Sequence, residues 1–571
     1  MIEKTVFVMY ILYKIKYTRQ PTPDSLMTKQ LTQVSPHSPD WYRDAIIYQV
    51  YPRSYMDSNG DGVGDLPGIT AKLDYIASLG VDIVWISPFF KSPMKDFGYD
   101  IADYCDVDPL FGTLADFDTL VATAHSLGLK IMIDQVMAHT AEDHAWFKES
   151  RSSRDNPKAD WYVWADPKAD GNPPNNWLSV FGGSAWQWDT RRRQYYMHNF
   201  LTSQPQLNFH NPAVQQAHLD ALRFWLERGV DGIRLDASNY HFHDRQLRDN
   251  PPATNRDSIT VTDVNPYGMQ AHNFDKTQPE NVPFLQKLRA LLDEYKAVSI
   301  GEVGSDDSLA TMAEYTEGGD KLHMAYSFNL LVNLLSSHYI REQVEQFEKR
   351  VKGGWASWSV GNHDVPRVAS RWGGPSAPQA FAKLALAMQL SLKGTPCLYQ
   401  GDELAFAEAD VPFELLQDPY GITFWPEFKG RDGCRTPIAW TDEANGGFTT
   451  GKPWLPVSPD HLAKAASVQE ADAQSSLAFT RAFTAWRRQH PQLLRGEIAF
   501  FDTQDSVLAL RRDLAGERSI LAVFNLSGEA QTVDLPASQD AEALQGHGLP
   551  GSAAGGKVQL PPYGAWFGYA Q

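Results

Sequence analysis

Arg234 and Asp236 stand two positions apart in the stretch Gly232-Ile233-Arg234-Leu235-Asp236-Ala237-Ser238-Asn239. Val230, Ile233 and Leu235 make this a short apolar strand. A strand buried on both faces should be apolar throughout, so its two charges need a reason. Side chains two apart share one face of a strand, where the guanidinium favours the ionised form of the acid. An ionised, oriented Asp at the C-terminal end of a strand has what a nucleophile requires. A structural Arg–Asp pair would look the same over this stretch.

Other reactive groups stand at the ends of further apolar runs. Asp134 and His139 follow 130–134, Glu302 follows 297–300, and His363-Asp364 follow 357–360. Runs at 46–51, 81–87, 230–235, 324–328 and 397–399 complete the candidate strands, with helical stretches such as 69–79, 114–127 and 379–391 between them. This alternation predicts an α/β fold, a (β/α)8 TIM barrel. A doubly wound sheet fits less well, because no Gly-rich dinucleotide turn follows the first strand. In a barrel the C-terminal strand ends face one cavity, so carboxylates from separate strands would converge there.

One connection is too long for a simple loop. Structureless loops beyond about 15 residues are uncommon, so 140–208, rich in Trp, Asn, Pro and Gly, is expected to form an inserted subdomain. That leaves 41–139 and 209–485 for the barrel. Val507-Leu508-Ala509-Leu510 and Ile520-Leu521-Ala522-Val523-Phe524, among Gly-rich turns, predict a C-terminal antiparallel β domain over 486–571.

The 571 residues are enough for a large domain plus a smaller one. A content of 43% hydrophobic and 21% charged residues is that of a soluble globular protein. A net charge of −18 argues against a nucleic-acid partner and does not penalise a neutral sugar. Cys105, Cys397 and Cys434 give neither a disulfide framework nor a CxxC, so the cytoplasm is the expected compartment, with the periplasm as alternative. The apolar run 6–13 is too short to span a membrane and precedes no Ala-x-Ala cleavage site; no membrane partner is expected. Residues 1–40 read as an unordered extension, with 1–26 dispensable and Met27 an alternative start. Monomer and homodimer both remain open.

Four motifs in order carry a resemblance. Asp134-Gln135-Val136-Met137-Ala138-His139, Gly232-Ile233-Arg234-Leu235-Asp236, Gly301-Glu302-Val303 and Gly361-Asn362-His363-Asp364 resemble the signature regions of the α-amylase family, glycoside hydrolase family 13. The stretches 146–150 and 181–186 resemble its α-glucosidase and oligo-1,6-glucosidase branch, transglycosylating members included. The resemblance runs from about residue 41 to the C-terminus. It implies Asp236 as nucleophile, Glu302 as general acid/base and Asp364 as the third carboxylate, which holds and distorts the sugar. It implies glucose hydroxyls on His139 and His363, with Arg234 orienting the nucleophile. Asp96 would bind the terminal sugar and Tyr99 would stack on it. Arg431 would pair with Asp96 to close the pocket, so that glucose leaves one unit at a time; Arg435 is a rival for that role. The chain departs from the pattern at Ala138, where Asn is usual, and in Gln204-Pro205-Gln206-Leu207-Asn208, which often reads Gln-Pro-Asp-Leu-Asn.

The residue types suit the chemistry. A glycosidic bond breaks through an oxocarbenium-like state that needs a proton donor on the leaving oxygen and a carboxylate at C1. Clustered negative charge would keep Glu302 protonated near neutral pH. The expected activity is that of an exo-acting retaining α-glucosidase on short α-1,4-glucosides such as maltose, with transfer to alcohols. An α-1,6-preferring or sucrose-acting relative is the alternative within the class; a non-catalytic, transporter-associated relative is the alternative outside it. The resemblance also implies that Ala237, where α-1,6-preferring relatives carry Val, bears on linkage choice.

A second constellation lies early. Asp57, Asn59, Asp61, Val63 through its carbonyl, and Asp65 offer oxygen at alternate positions among glycines, like the first half of an EF-hand loop. A polar Gly-rich turn is the alternative. Ca2+ or Mg2+ suits such ligands, the resemblance implies Ca2+, and distance in sequence from the carboxylates points to a structural role.

Overall fold

Eight short parallel strands form the centre of a computed structural model that describes residues 39–254 and 261–570. They are β1 (Ile47–Val50), β2 (Ile83–Ile86), β3 (Lys130–Gln135), β4 (Gly232–Leu235), β5 (Val298–Val303), β6 (Met324–Ser327), β7 (Ser357–Ser359) and β8 (Thr395–Tyr399). The expected extension over residues 1–40 falls outside the described residues, save its last two. The strands are ordered β6-β5-β4-β3-β2-β1-β8-β7, and a parallel bridge between Ala325 and Ala356 joins the two ends into a barrel. All but Lys130 are buried along these strands, which explains why they read as apolar runs rather than alternating ones.

The helices that position β4 are specified locally. Thr113 and Asp116 form a capping box at the start of helix Leu114–Ser126. Asn211 caps Pro212–Leu226, whose buried Trp225 stacks on Phe90 with ring centroids 4.7 Å apart. Gly229, at φ +91°, turns the chain into β4. Asp231 then pins β4 to β3 by accepting from the Ile131 N–H at 2.9 Å. The helix expected over 69–79 is instead two short ones, Leu66–Ala71 and Leu73–Ser78, because Lys72 leaves helical geometry at φ −110°, ψ 6°.

Between β3 and β4, strands Trp164–Ala165, Trp186–Asp189 and Gln194–Met197 form a three-stranded antiparallel sheet, with Gln194–Met197 in the middle. A bridge between His139 and Gln206 ties the end of this insertion to the residues just after β3. The last barrel-packed helix, Ser476–Arg488, lies against Gln379–Gln389, and the first C-terminal strand begins only at Glu497. A five-stranded and a three-stranded antiparallel sheet follow, enclosing Val507, Leu521, Val523, Val558 and Trp566. Among the described residues no helix is long and apolar enough to cross a membrane.

Candidate active site

Arg234 is fully buried and joins three acids. Its Nη1 lies 2.6 Å from Asp236 Oδ1 and 2.9 Å from Asp134 Oδ1, and its Nη2 lies 2.7 Å from Glu302 Oε1. The two-residue spacing in β4 has the consequence expected of it: both side chains share a face, and β3 and β5 bring one acid each from either side. Tyr326 of β6 accepts from Arg234 Nη2 at 2.8 Å and donates to Glu302 Oε1 at 3.2 Å. The Ala237 N–H donates to Glu302 Oε2 at 2.9 Å. Burial pushes Asp236 and Glu302 each up to about 7 and Asp134 up to about 6, against the pull of Arg234. Three carboxyls share one guanidinium, so full ionisation would leave two uncompensated buried charges. The cluster therefore retains a proton at neutral pH.

Asp364 differs. Burial works against its charge, but the guanidiniums of Arg431 and Arg435 hold its carboxyl well below the usual range. Arg431 Nη1 and Arg435 Nη2 lie 3.2 and 3.1 Å from Asp364 Oδ1. Arg431 Nη2 also reaches Asp96 Oδ1 at 3.0 Å and Asp418 Oδ1 at 2.8 Å. The expected Asp96–Arg431 pair is thus present, and the rival Arg435 binds Asp364 and the His363 carbonyl. Gln204, from the stretch that departs from the family pattern, donates to Asp96 Oδ2 at 3.0 Å.

Both expected histidines are buried and neutral. Burial lowers His139 to about 4; its Nε2 donates to the Tyr99 carbonyl at 2.9 Å, and its Nδ1 is buried with no partner among the described residues. Burial also holds His363 well below its ordinary value. Gln49 donates to His363 Nδ1 at 2.7 Å, which leaves the ring hydrogen on Nε2, 2.6 Å from Tyr99 Oη. Tyr99 in turn donates to Asp134 Oδ2 at 3.1 Å, and its ring stacks on His363 at 5.3 Å.

Asp96, Tyr99, His139, Asp236, Glu302, His363, Asp364 and Arg431 all line one cavity of about 390 Å³. Arg234 lies beneath it. Sequence reasoning missed Gln49, Tyr326 and Asp418, and it missed the long segment 237–280 after β4, whose Tyr240, Tyr267 and Lys276 complete the wall. Asp418 had a local signal, an Asp directly before Pro419 that caps helix Pro419–Phe424.

The loop at 57–65 is separate. Asp57 Oδ1 accepts from the Asn59 and Gly60 N–H groups and Oδ2 from that of Gly62. Asn59 and Asp61 each accept from the N–H two residues on, at 2.9 and 2.8 Å. Gly62 sits at φ +96°, and a Cβ there would lie 1.9 Å from the Lys452 carbonyl, so only glycine fits. Asp65 caps helix Leu66–Ala71 and binds Ser58, leaving both its oxygens occupied. Among the described residues no three His, Cys, Asp or Glu side chains gather as a metal site. Thr449 Oγ1 also donates to Asp57 Oδ2, so the oxygens of Asp57 and Asp65 alike are occupied by donors of the protein itself.

Comparison with known proteins agrees with this geometry. The family described as alpha amylase, catalytic domain, matches residues 49–496, and a D-apionate lactonase C-terminal immunoglobulin-like domain matches 504–566. A probable α-glucosidase of Rhizobium meliloti is 55% identical over 534 residues, covering 92% of this chain and 97% of that protein. An oligo-1,6-glucosidase of Parageobacillus thermoglucosidasius is 34% identical over 528 residues, covering 87% and 92%. The crystal structure of an α-glucosyl transfer enzyme, XgtA, superposes with a TM-score of 0.91 at 59% identity, covering 93% of this chain and 99% of that one.

Proposed function

The chain belongs to the α-amylase family, glycoside hydrolase family 13, and from that premise we propose that it is an exo-acting retaining α-glucosidase on short α-1,4-glucosides such as maltose. The observation that carries the reading is the guanidinium of Arg234 held between Asp236 and Glu302 at the floor of a single cavity. Asp236 attacks C1 while Glu302 protonates the leaving oxygen. Glu302, now a carboxylate, then takes a proton from water or an alcohol, which attacks C1 and frees the glucosyl ester. Asp364, kept ionised by Arg431 and Arg435, faces the developing positive charge on the sugar. His139, in the cavity wall, would meet a sugar hydroxyl, and the Asp96–Arg431 bond limits the pocket to one terminal glucose.

Transfer to alcohols is supported by the likeness to an α-glucosyl transfer enzyme. Preference for α-1,4 over α-1,6 bonds is supported by the small side chain of Ala237 in the cavity wall. A divalent ion, Ca2+ or Mg2+, at Asp57, Asn59, Asp61, Val63 and Asp65 would neutralise and stiffen the loop; no catalytic step passes through it. Three free cysteines support a reducing compartment.

The test is glucose release from a chromogenic α-glucoside, followed by rates on maltose, isomaltose and sucrose. Fastest turnover of maltose is expected. Faster isomaltose or sucrose turnover would replace the linkage assignment. No release anywhere from about pH 5 to 9, where such carboxyl pairs operate, would favour the non-catalytic alternative.

A further inference from the structure

The cavity wall contains an ammonium group that the mechanism above does not use. Lys276 is only 4% exposed and lines the cavity. Its Nζ donates to Tyr267 Oη at 2.8 Å and Tyr240 Oη at 3.1 Å, and it lies about 5 Å from both ring centroids. Among the described residues no carboxylate contacts it directly. The two carboxylates that act on it electrostatically are each bonded to His272: Asp275 to Nδ1 at 2.6 Å, and Asp306 to the backbone N–H at 2.8 Å. Burial opposes the charge of Lys276, but Tyr240, Asp275 and Asp306 outweigh it and keep the amine protonated.

The hydrogen count of this cluster does not close. The ammonium carries three hydrogens and the two phenols one each. Two ammonium hydrogens go to the phenol oxygens, and one phenol hydrogen lies between the two hydroxyls, which are 3.1 Å apart. One N–H and one O–H remain for a group outside the cluster, in a wall that faces the cavity. Buried donors left without acceptors are costly, and a buried ammonium gains most from an anionic oxygen.

The cluster also stands where a second molecule would meet Glu302. The Tyr240 N–H bonds to the Ala237 carbonyl, placing Tyr240 one turn after Asp236. Its hydroxyl lies 3.6 Å from where a Cβ on Gly304 would stand, two residues beyond Glu302. We propose that Lys276, with Tyr240 and Tyr267, binds an anionic oxygen on the acceptor, so that the enzyme glucosylates small hydroxy acids bearing a carboxylate. This rests on the α-glucosidase reading above. The acceptor hydroxyl forms the new bond to C1, the bond from C1 to Asp236 breaks, and the hydroxyl proton passes to Glu302.

The test is a competition with an aryl α-glucoside as donor and equal concentrations of glycerate and glycerol as acceptors, which offer similar hydroxyls and differ in the carboxylate. Glucosyl-glycerate should exceed glucosyl-glycerol at least fivefold. Lys276→Met should bring that ratio down at least fivefold, to near one, and Tyr267→Phe, which keeps the ring in place, should lower it to an intermediate value. A parallel arm with glycerol phosphate identifies the source of the anion: preference for it over glycerate, lost in Lys276→Met, would move the assignment from carboxylate to phosphate. Hydrolysis of the aryl glucoside with no preference for either anion, or a preference unchanged in Lys276→Met, would overturn the inference alone. Failure to hydrolyse the donor at all would overturn the reading beneath it.

Discussion

The backbone N–H of Ala237, the residue after Asp236, donates to Glu302 Oε2 at 2.9 Å. Ala237 achieves this at φ +42°, a conformation in which a β-branched residue is an outlier. The residue next to the nucleophile position thus holds the second carboxyl from its backbone, and its side chain lines the cavity. Ala237→Val should strain that turn and crowd the second sugar. Overpacking costs about 1–3 kcal/mol, so kcat/KM on maltose should fall by at least several-fold while the isomaltose-to-maltose ratio rises. Equal losses on both substrates would show that Ala237 serves the turn and not linkage choice.

Arg431 should matter for stability as well as turnover. It bridges Asp96, Asp364 and Asp418 from a buried position, and removing one partner of a buried ion pair costs about 3–5 kcal/mol. Arg431→Ala should lower the unfolding free energy by a comparable amount and reduce kcat/KM on maltose at least tenfold. Arg431→Lys keeps the charge but not the planar fork, so recovery should be partial. Urea melts and maltose kinetics check both; parent-like values for Arg431→Ala would contradict the closing role.

Stability should carry the signature of the buried acids. Asp236 and Glu302 titrate at about 7 when folded, above the unfolded value of about 4. At these two positions the folded state binds more protons between those limits, so the stability these two groups contribute is lost as pH rises from about 4 to about 7. Glu302→Gln removes one such group, so its stability relative to the parent should improve across that window. Parallel stability–pH curves for the two proteins would contradict it.

The loop at 57–65 gives an independent test. An ion that binds only the folded state adds stability that grows with its concentration over Kd. EDTA should lower Tm, Ca2+ or Mg2+ should restore it, and Asp61→Ala should respond to neither. No bound divalent ion by elemental analysis, with no EDTA effect, would refute the site.

What could be read from the chain was what interrupts a pattern. Arg234 and Asp236 stand out because an apolar strand should hold no charges, and Glu302 and Asp134 stand out for the same reason on β5 and β3. Gln49 and Tyr326 leave no such mark: each is one polar residue in a buried strand, and its role depends on partners 314 and 24 positions away. Lys276 is invisible for the same reason, since the stretches 237–254 and 261–280 have no periodicity to say that they line the cavity. The break at Lys72 is a boundary effect, where a helical pattern continues past the residues that tertiary packing keeps helical, while helices Ser476–Arg488 and Pro491–Arg495 precede the first C-terminal strand at Glu497.

The most direct measurement is to trap the glucosyl-enzyme. A 5-fluoro-α-glucosyl fluoride slows the second step more than the first, so a retaining enzyme accumulates its covalent ester. Peptide mass spectrometry should place the adduct on Asp236, and Asp236→Asn should form none while remaining folded. An adduct on another residue, or turnover to β-glucose with no adduct at all, would contradict the account.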